Sequence, residues 1–184
     1  MKNFMHWLVT AATLTFAVPV QGAQNDPRLD ALFAELRDAA TTEDAAPIEQ
    51  NIWNIWLLSG NGEVDAHMLR GLHAMGKGDN EVALESFDKL VAAQPDFAEG
   101  WNKRATVNYL LGRFDASVID IQKTLALEPR HFGALSGLAL INLALSRERE
   151  ALKAFEAALR VHPNLPGAET HIRELQEKLR GKGI

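Results

Sequence analysis

The chain has 184 residues, of which 47% are hydrophobic and 23% charged, a composition that excludes wholesale disorder and suggests one domain plus a short additional segment. There are 19 Lys and Arg against 24 Asp and Glu, a net charge of −5, and this mild acidic excess argues against nucleic acid or an anionic membrane surface as a partner. The sequence contains no Cys, which excludes disulfides, thiolate metal sites, iron–sulfur clusters, cysteine nucleophiles and lipid attachment through Cys.

The first two dozen residues have the pattern of a secretory signal peptide. An early Lys precedes a mostly apolar run without acidic residues, and Pro19 is followed by the small residues Gly22 and Ala23. We predict a signal peptide over 1–22, cleaved between Gly22 and Ala23, with a cut after Ala23 as the alternative. A permanent anchor would need about 20 apolar residues, and Pro19 truncates the run. The pattern predicts a periplasmic or secreted protein that meets the membrane only through its transient signal peptide.

A helical hairpin is predicted over 23–63. Asp26 and Pro27 favour the start of a helix that runs to about residue 39. A linker over 40–46 leads to Pro47, where a second helix begins and runs to about residue 58. The segment is expected to be either a degenerate repeat of the units described below or a hairpin that caps them.

Two tryptophans lie on the second of these helices. Trp53 and Trp56 are three residues apart and therefore share a helix face. We expect them to pack as core on the first repeat. If they are exposed instead, they would form an interaction hot spot, because Trp is favoured at the centres of interfaces.

A period of 34 residues organises the rest of the chain. Pro95, Pro129 and Pro163 are spaced by 34, which defines three units over 64–97, 98–131 and 132–165. Each unit is predicted to contain two helices with a turn at its fifteenth residue and small residues at its eighth and twentieth, where the two helices approach closely. The aligned turn and small residues are Gly78, Gly112 and Ser146; Gly71, Ala105 and Ala139; and Ala83, Ser117 and Ala151.

This pattern resembles the tetratricopeptide repeat, a helix–turn–helix unit of 34 residues. The first unit departs from it with His67 and the third with Leu135, each where an aromatic is usual. The resemblance implies an all-α fold, a right-handed α-solenoid of stacked helix pairs. The segment 166–184 is predicted to add a capping helix with a polar outer face. The second unit carries the likeness most fully, in Trp101, Ala105, Tyr109, Gly112, Phe114, Ser117, Ile121 and Pro129.

The resemblance further implies a concave groove, lined by the first helix of each unit, that binds extended or helical peptide segments. The residues at the family's groove positions are predicted to offer an adaptable apolar surface, hydrogen-bonding groups near the middle and an acidic rim. The Lys and Asn set with which one subclass grips a terminal carboxylate is missing. Alternatively, some of these residues are buried by the hairpin or by helix packing. The predicted binding residues are Asp65, Met68, Leu72, Met75, Glu99, Asn102, Thr106, Tyr109, Ser136, Leu140 and Leu143.

Catalytic chemistry is not indicated by the sequence. His67 and His73 are six apart and fall on different helix faces, while His131 and His162 lie in predicted turns. No zinc-protease motif, phosphate loop or serine triad pattern occurs. We therefore predict no enzymatic activity, metal, cofactor or small-molecule substrate.

The leading hypothesis is a non-catalytic adaptor or scaffold of the bacterial periplasm that binds another protein or a peptide segment in its groove. The alternative is a self-associating structural subunit of a cell-envelope assembly or maturation complex, a homo-oligomer built through the tryptophan helix or the C-terminal cap. Fold alone does not choose between them.

Overall fold

The structure is a computed structural model that describes residues 23–181, so the predicted signal peptide lies outside the described residues. Within them, none of the helices is long and apolar enough to cross a membrane. The described chain is all α-helical apart from a short 3-10 turn at Ala23–Asn25. Its helices are α1 Arg28–Asp38, α2 Thr42–Trp56, α3 Gly62–Gly76, α4 Asn80–Ala93, α5 Ala98–Leu110, α6 Phe114–Leu127, α7 Phe132–Ala144, α8 Glu148–Val161 and α9 Ala168–Gly181.

Helices α3 to α8 form three pairs, and each 34-residue unit of the sequence contains one pair. The two helices of a pair pack on one another, and each pair packs on the next in chain order, with α9 closing the far end on α8. In α9, Leu175 is buried and Ile172 packs on the core of the third pair. The predicted solenoid of helix pairs, with its C-terminal helix, is confirmed.

The first helix of every pair ends in the same backbone motif. Gly78, Gly112 and Ser146 have φ values of 76°, 71° and 55°, and the amide of each donates to a carbonyl three residues back. The amide of the following residue donates to a carbonyl five residues back, as Arg113 does to Asn108 at 2.8 Å. This left-handed closure satisfies the free carbonyls of the helix end. The turn predicted at the fifteenth position is therefore confirmed in all three units.

The small residues predicted inside each pair are buried where the two helices touch. A Cβ built on Gly71 would lie 2.5 Å from the ring of Phe87 on the partner helix. Ala105 and Ser117 face each other in the second pair, where the Ser117 hydroxyl donates to the Ala105 carbonyl at 2.7 Å. A larger side chain at these positions would overpack the pair.

The N-terminal hairpin starts where the sequence indicated, but its second helix is longer than predicted. The carboxylate of Asp26 accepts from the Arg28 amide at 2.9 Å. Helix α2 begins at Thr42, and the Thr41 hydroxyl caps it by accepting from the Asp44 amide at 3.1 Å. The predicted linker 40–46 is therefore wrong, because the cap starts the helix one turn before Pro47. The proline removes one hydrogen bond of the helix without ending it.

The hairpin lies back along the array instead of continuing its register. Helix α1 runs from the turn after α4 toward the turn after α8, and α2 returns, so the hairpin crosses the turns after α4, α6 and α8. Its buried face packs on Phe132 together with Val161 and Leu165. The degenerate-repeat alternative is therefore wrong, and the segment is a hairpin that covers the turn edge of the array. Polar contacts at the successive turns join Gln24 to Asp96, Asp30 to Arg130 and Ala39 to Asn164.

The two tryptophans are part of this interface. Trp56 is 1% exposed, with its ring stacked on His131 at 4.2 Å and 5.2 Å from Phe132. Trp53 is partly buried, and a Cβ added to Gly133 would lie 2.7 Å from its ring. Both were expected to pack on the first repeat, but they pack where the second and third repeats meet, because the hairpin runs back over that junction.

Candidate functional site

The concave face carries an open cleft of about 190 Å³ between α5 and α7. Ile121 and Ser117 of α6 contribute to its lining, and every described residue that lines it is uncharged. Five of the predicted binding residues come together here, namely Asn102, Thr106, Tyr109, Ser136 and Leu140.

Small residues on α7 open this cleft. Gly133 and Gly137 are one helical turn apart and both line it. A side chain at Gly137 would extend into the cleft beside Ile121, whereas the missing side chain of Gly133 makes room for Trp53 of the hairpin. A Cβ on Gly137 would already lie 3.5 Å from Ile121. The pair of glycines four residues apart is a signal in the sequence that our groove prediction did not use. The α6 residues were missed because that prediction considered only the first helix of each pair.

The polar groups at the cleft are arranged on its two walls. Thr106 donates through Oγ1 to the Asn102 carbonyl at 3.0 Å. Across from it, the Ser136 hydroxyl oxygen is buried without a hydrogen-bond partner among the described residues. A buried hydroxyl without a partner is costly, so this group is suited to pairing with a polar atom that enters the cleft.

The acidic rim predicted at Asp65 and Glu99 is not formed. Asp65 accepts from the Ser59 amide at 2.8 Å and from its hydroxyl at 2.6 Å, and it serves the turn before α3. Glu99 is 1% exposed and binds Lys103 and His131, each at 2.8 Å. Both carboxylates are therefore bound by other residues of this protein. Glu99 is wrong as a rim residue because the hairpin and the turn at His131 cover it.

Glu99 lies in a buried network of charged and polar side chains. His131 accepts from the Ala134 amide through Nδ1 at 3.1 Å, which assigns the proton to Nε2 and lets that atom donate to Glu99. Burial acts to raise the pKa of Glu99, but the positive charge of Lys103 and the hydrogen bond from His131 outweigh it and hold the pKa below its usual value. Lys103 also lies 5.0 Å over the ring of Trp53. The network ties the start of α5 to α7 and the hairpin.

The predicted apolar residues of α3 do not join the cleft. Met68 is 2% exposed in the core of the first pair, and Leu72 and Met75 are half-buried against the same core. Leu57, from the end of the hairpin, also packs there. Met68 is therefore corrected from a groove residue to a core residue, and Leu143 is half-buried against the core of the third pair.

His162 lies outside the cleft and contacts the hairpin. His162 is buried and lies 3.2 Å from the Glu49 carboxylate, which also accepts from Trp53 at 3.0 Å. Over residues 23–181, no group of three or more acidic or histidine side chains is placed to hold a metal ion.

A sequence model of the tetratricopeptide repeat matches residues 68–123 and 111–169. The chain belongs to the tetratricopeptide repeat (TPR) family. It is 37% identical over 174 residues to a TPR repeat-containing protein of Rhizobium etli, a match that covers 94% of this chain and 85% of that protein. A TPR domain is typically a protein–protein interaction module, and this class of function is the one that the family supports.

Solved TPR structures share the fold of this chain. The first TPR of Spaghetti (RPAP3) bound to the HSP90 peptide SRMEEVD is 23% identical, with a TM-score of 0.62 over 64% of this chain and 94% of that one. A crystal structure of MamA protein is 20% identical, with a TM-score of 0.60 over 88% of this chain and 79% of that one. At these identities the likeness concerns the TPR fold alone.

Proposed function

We propose that this TPR protein is a non-catalytic adaptor or scaffold that binds a peptide or helical segment of another protein in the cleft between α5 and α7. The observation that carries the proposal is the open, uncharged cleft on the concave face. Leu140 at its edge is 38% exposed and offers an apolar contact that residues 23–181 leave uncovered. The burial of an apolar side chain from a partner would supply the driving force.

The charges around the cleft favour a segment without an acidic terminus. Lys103 and Arg104 are the cations on this part of α5, and each is already bound to a buried carboxylate. The acidic HSP90 peptide in the Spaghetti complex would find no available cation among the residues that line this cleft. We therefore propose a neutral or basic segment that places an apolar side chain over Ile121 and a polar atom near Ser136.

Capture of a partner from an envelope fraction tests the cleft. Leu140→Glu places a charge at the cleft and should abolish capture, because an apolar side chain would then pack against a carboxylate. Ile119→Glu is the matched control, since Ile119 is 56% exposed on α6 and does not line the cleft. Far-UV circular dichroism should be the same for both. Equal capture by the two variants would show that the partner binds elsewhere.

Export to the periplasm or medium is part of the same proposal. Its support is the signal-peptide pattern of the sequence, and cell fractionation with N-terminal sequencing tests it. A mature chain that begins at Ala23 or Gln24 in the soluble envelope fraction is the expected result. An uncleaved chain in the cytoplasm would contradict it.

Self-association remains a prediction with less to support it. The burial of Trp56 removes one of the two surfaces on which that alternative relied, which leaves the C-terminal helix α9. Light scattering of the mature protein should give a monomer, and a dimer broken by charge reversal on α9 would favour the structural alternative.

A further inference from the structure

A second cavity, of about 310 Å³, lies where the hairpin meets the array, on the side of α1 and the end of α8. It is separate from the α5–α7 cleft. Three arginines from three different elements face it, one from the hairpin, one from the turn after α6 and one from α8. We call it the arginine cavity; its lining residues are Asp30, Phe33, Arg37, Arg130, Arg160 and Val161.

Arg130 is held in place at the base of this arginine cavity. Its Nε and one terminal nitrogen each donate to the Glu128 carboxylate at 3.0 Å. The other terminal nitrogen donates to Asp30 at 2.7 Å, and the guanidinium lies 4.3 Å over the ring of Phe33. The orientation of this group is therefore fixed by the protein before any ligand enters.

Arg37 and Arg160 supply the positive charge of the arginine cavity that is not neutralised by a paired carboxylate. They lie in the last turns of α1 and α8, and neither forms an ion pair with an acidic residue in the described part of the chain. Asp30 is the carboxylate that lines the cavity, and it is already bound to Arg130. That pair is exposed, with the Asp30 side chain 86% accessible, so it contributes little to stability. Another anion can replace Asp30 while the two bonds to Glu128 keep Arg130 oriented.

We propose that the arginine cavity binds a phosphate-type oxyanion between Arg37, Arg130 and Arg160. The planar guanidinium matches the spacing of phosphate oxygens and forms short, charge-assisted hydrogen bonds with them. Because Arg37 belongs to the hairpin and the other two arginines to the array, a bound oxyanion joins the two and stabilises the docked hairpin. The site is independent of the peptide cleft.

Calorimetric titration of the mature protein with inorganic phosphate, against chloride at equal ionic strength, tests the proposal. Replacement of Arg37 and Arg160 together by Gln should weaken phosphate binding by about tenfold or more, since each removes a charge-assisted contact. Arg147→Gln with Arg149→Gln removes the same charge from exposed positions on the other end of α8 and should leave the affinity unchanged. Equal affinity in both double variants, or no binding to the wild type, would overturn the site.

Thermal unfolding separates a ligand site from a structural role. Phosphate should raise the wild-type midpoint relative to chloride and should lose that effect when Arg37 and Arg160 are replaced. If the two arginines serve only the carboxyl ends of their helices, the variant loses the same stability in both salts, and the proposal is wrong.

The source of the oxyanion is decided by vesicle sedimentation. Co-sedimentation with phosphatidylglycerol vesicles, but not with phosphatidylcholine alone, that is lost in the Arg37 and Arg160 variant identifies a lipid headgroup. Phosphate binding without such co-sedimentation identifies a free or soluble phosphate compound.

Discussion

Truncation of Trp56 should show how strongly the hairpin is held on the array. Its ring is 1% exposed and lies 4.2 Å from His131, 5.2 Å from Phe132, 5.3 Å from Trp53 and 5.9 Å from Phe33. Trp56→Ala removes all of these contacts and leaves a cavity, which for a fully buried Trp costs about 3–5 kcal/mol. Its indole nitrogen has no hydrogen-bond partner in the described chain, so the loss is one of packing.

Urea unfolding followed by far-UV circular dichroism measures this loss. Leu69→Ala is the control, because Leu69 is 69% exposed and its truncation should change the free energy of unfolding by no more than about 0.5 kcal/mol. Amide exchange should also accelerate at Leu135 in Trp56→Ala, since the Leu135 amide donates to the carbonyl of His131 at 3.1 Å and the His131 ring stacks on the lost indole. If Trp56→Ala and Leu69→Ala shift the free energy equally and Leu135 keeps its protection, the hairpin does not dock as described.

Three further changes follow from the helix pairs and the buried network. Ser146→Gly should raise the free energy of unfolding by about 0.5–1 kcal/mol, because Ser146 has φ 55° where Gly is unstrained; a lower urea midpoint would contradict this. Gly71→Ala should lower it by about 1–3 kcal/mol, since the new Cβ meets a ring at 2.5 Å, and an unchanged midpoint would mean that the ring moves freely. Burial raises the pKa of Glu99, but Lys103 and His131 outweigh burial and hold the pKa below the ordinary 4.5. The stabilisation from this carboxylate is therefore complete above pH 4.5 and is lost as the pH falls through the lowered pKa. An acid titration of Glu99→Gln should lack that part of the decline, and identical titrations would refute it.

The array could be predicted because its information is local and repeated. The spacing of Pro95, Pro129 and Pro163 and the turn at Gly112 recur in register, and a helix pair has few ways to stack on its neighbour. The course of the hairpin could not be predicted in the same way. The apolar face of α1 indicates that this helix is buried against another part of the protein, but it does not indicate which part of the array it packs on. The start of α2 was misplaced because the helix begins at the cap of Thr41 and not at Pro47.

The candidate site was predictable where it depends on the array alone. Asn102, Thr106 and Leu140 come together because superhelical stacking brings α5 beside α7. Met68 and Glu99 were also predicted at groove positions, yet both are buried, because their surroundings include the end of the hairpin and the turn at His131. Contacts between segments that are far apart in the sequence follow no repeat, so the sequence pattern does not predict them.

The hairpin also sets the number of repeats that this protein can contain. Repeat families grow when a unit is duplicated, and a simple array tolerates the addition because each unit contacts only its neighbours. Here one hairpin is bonded to three consecutive turns, at Asp96, Arg130 and Asn164. A duplicated unit would either leave one turn uncovered by the hairpin or shift the turns away from the hairpin residues that bond to them. The length of the hairpin therefore fits an array of three repeats.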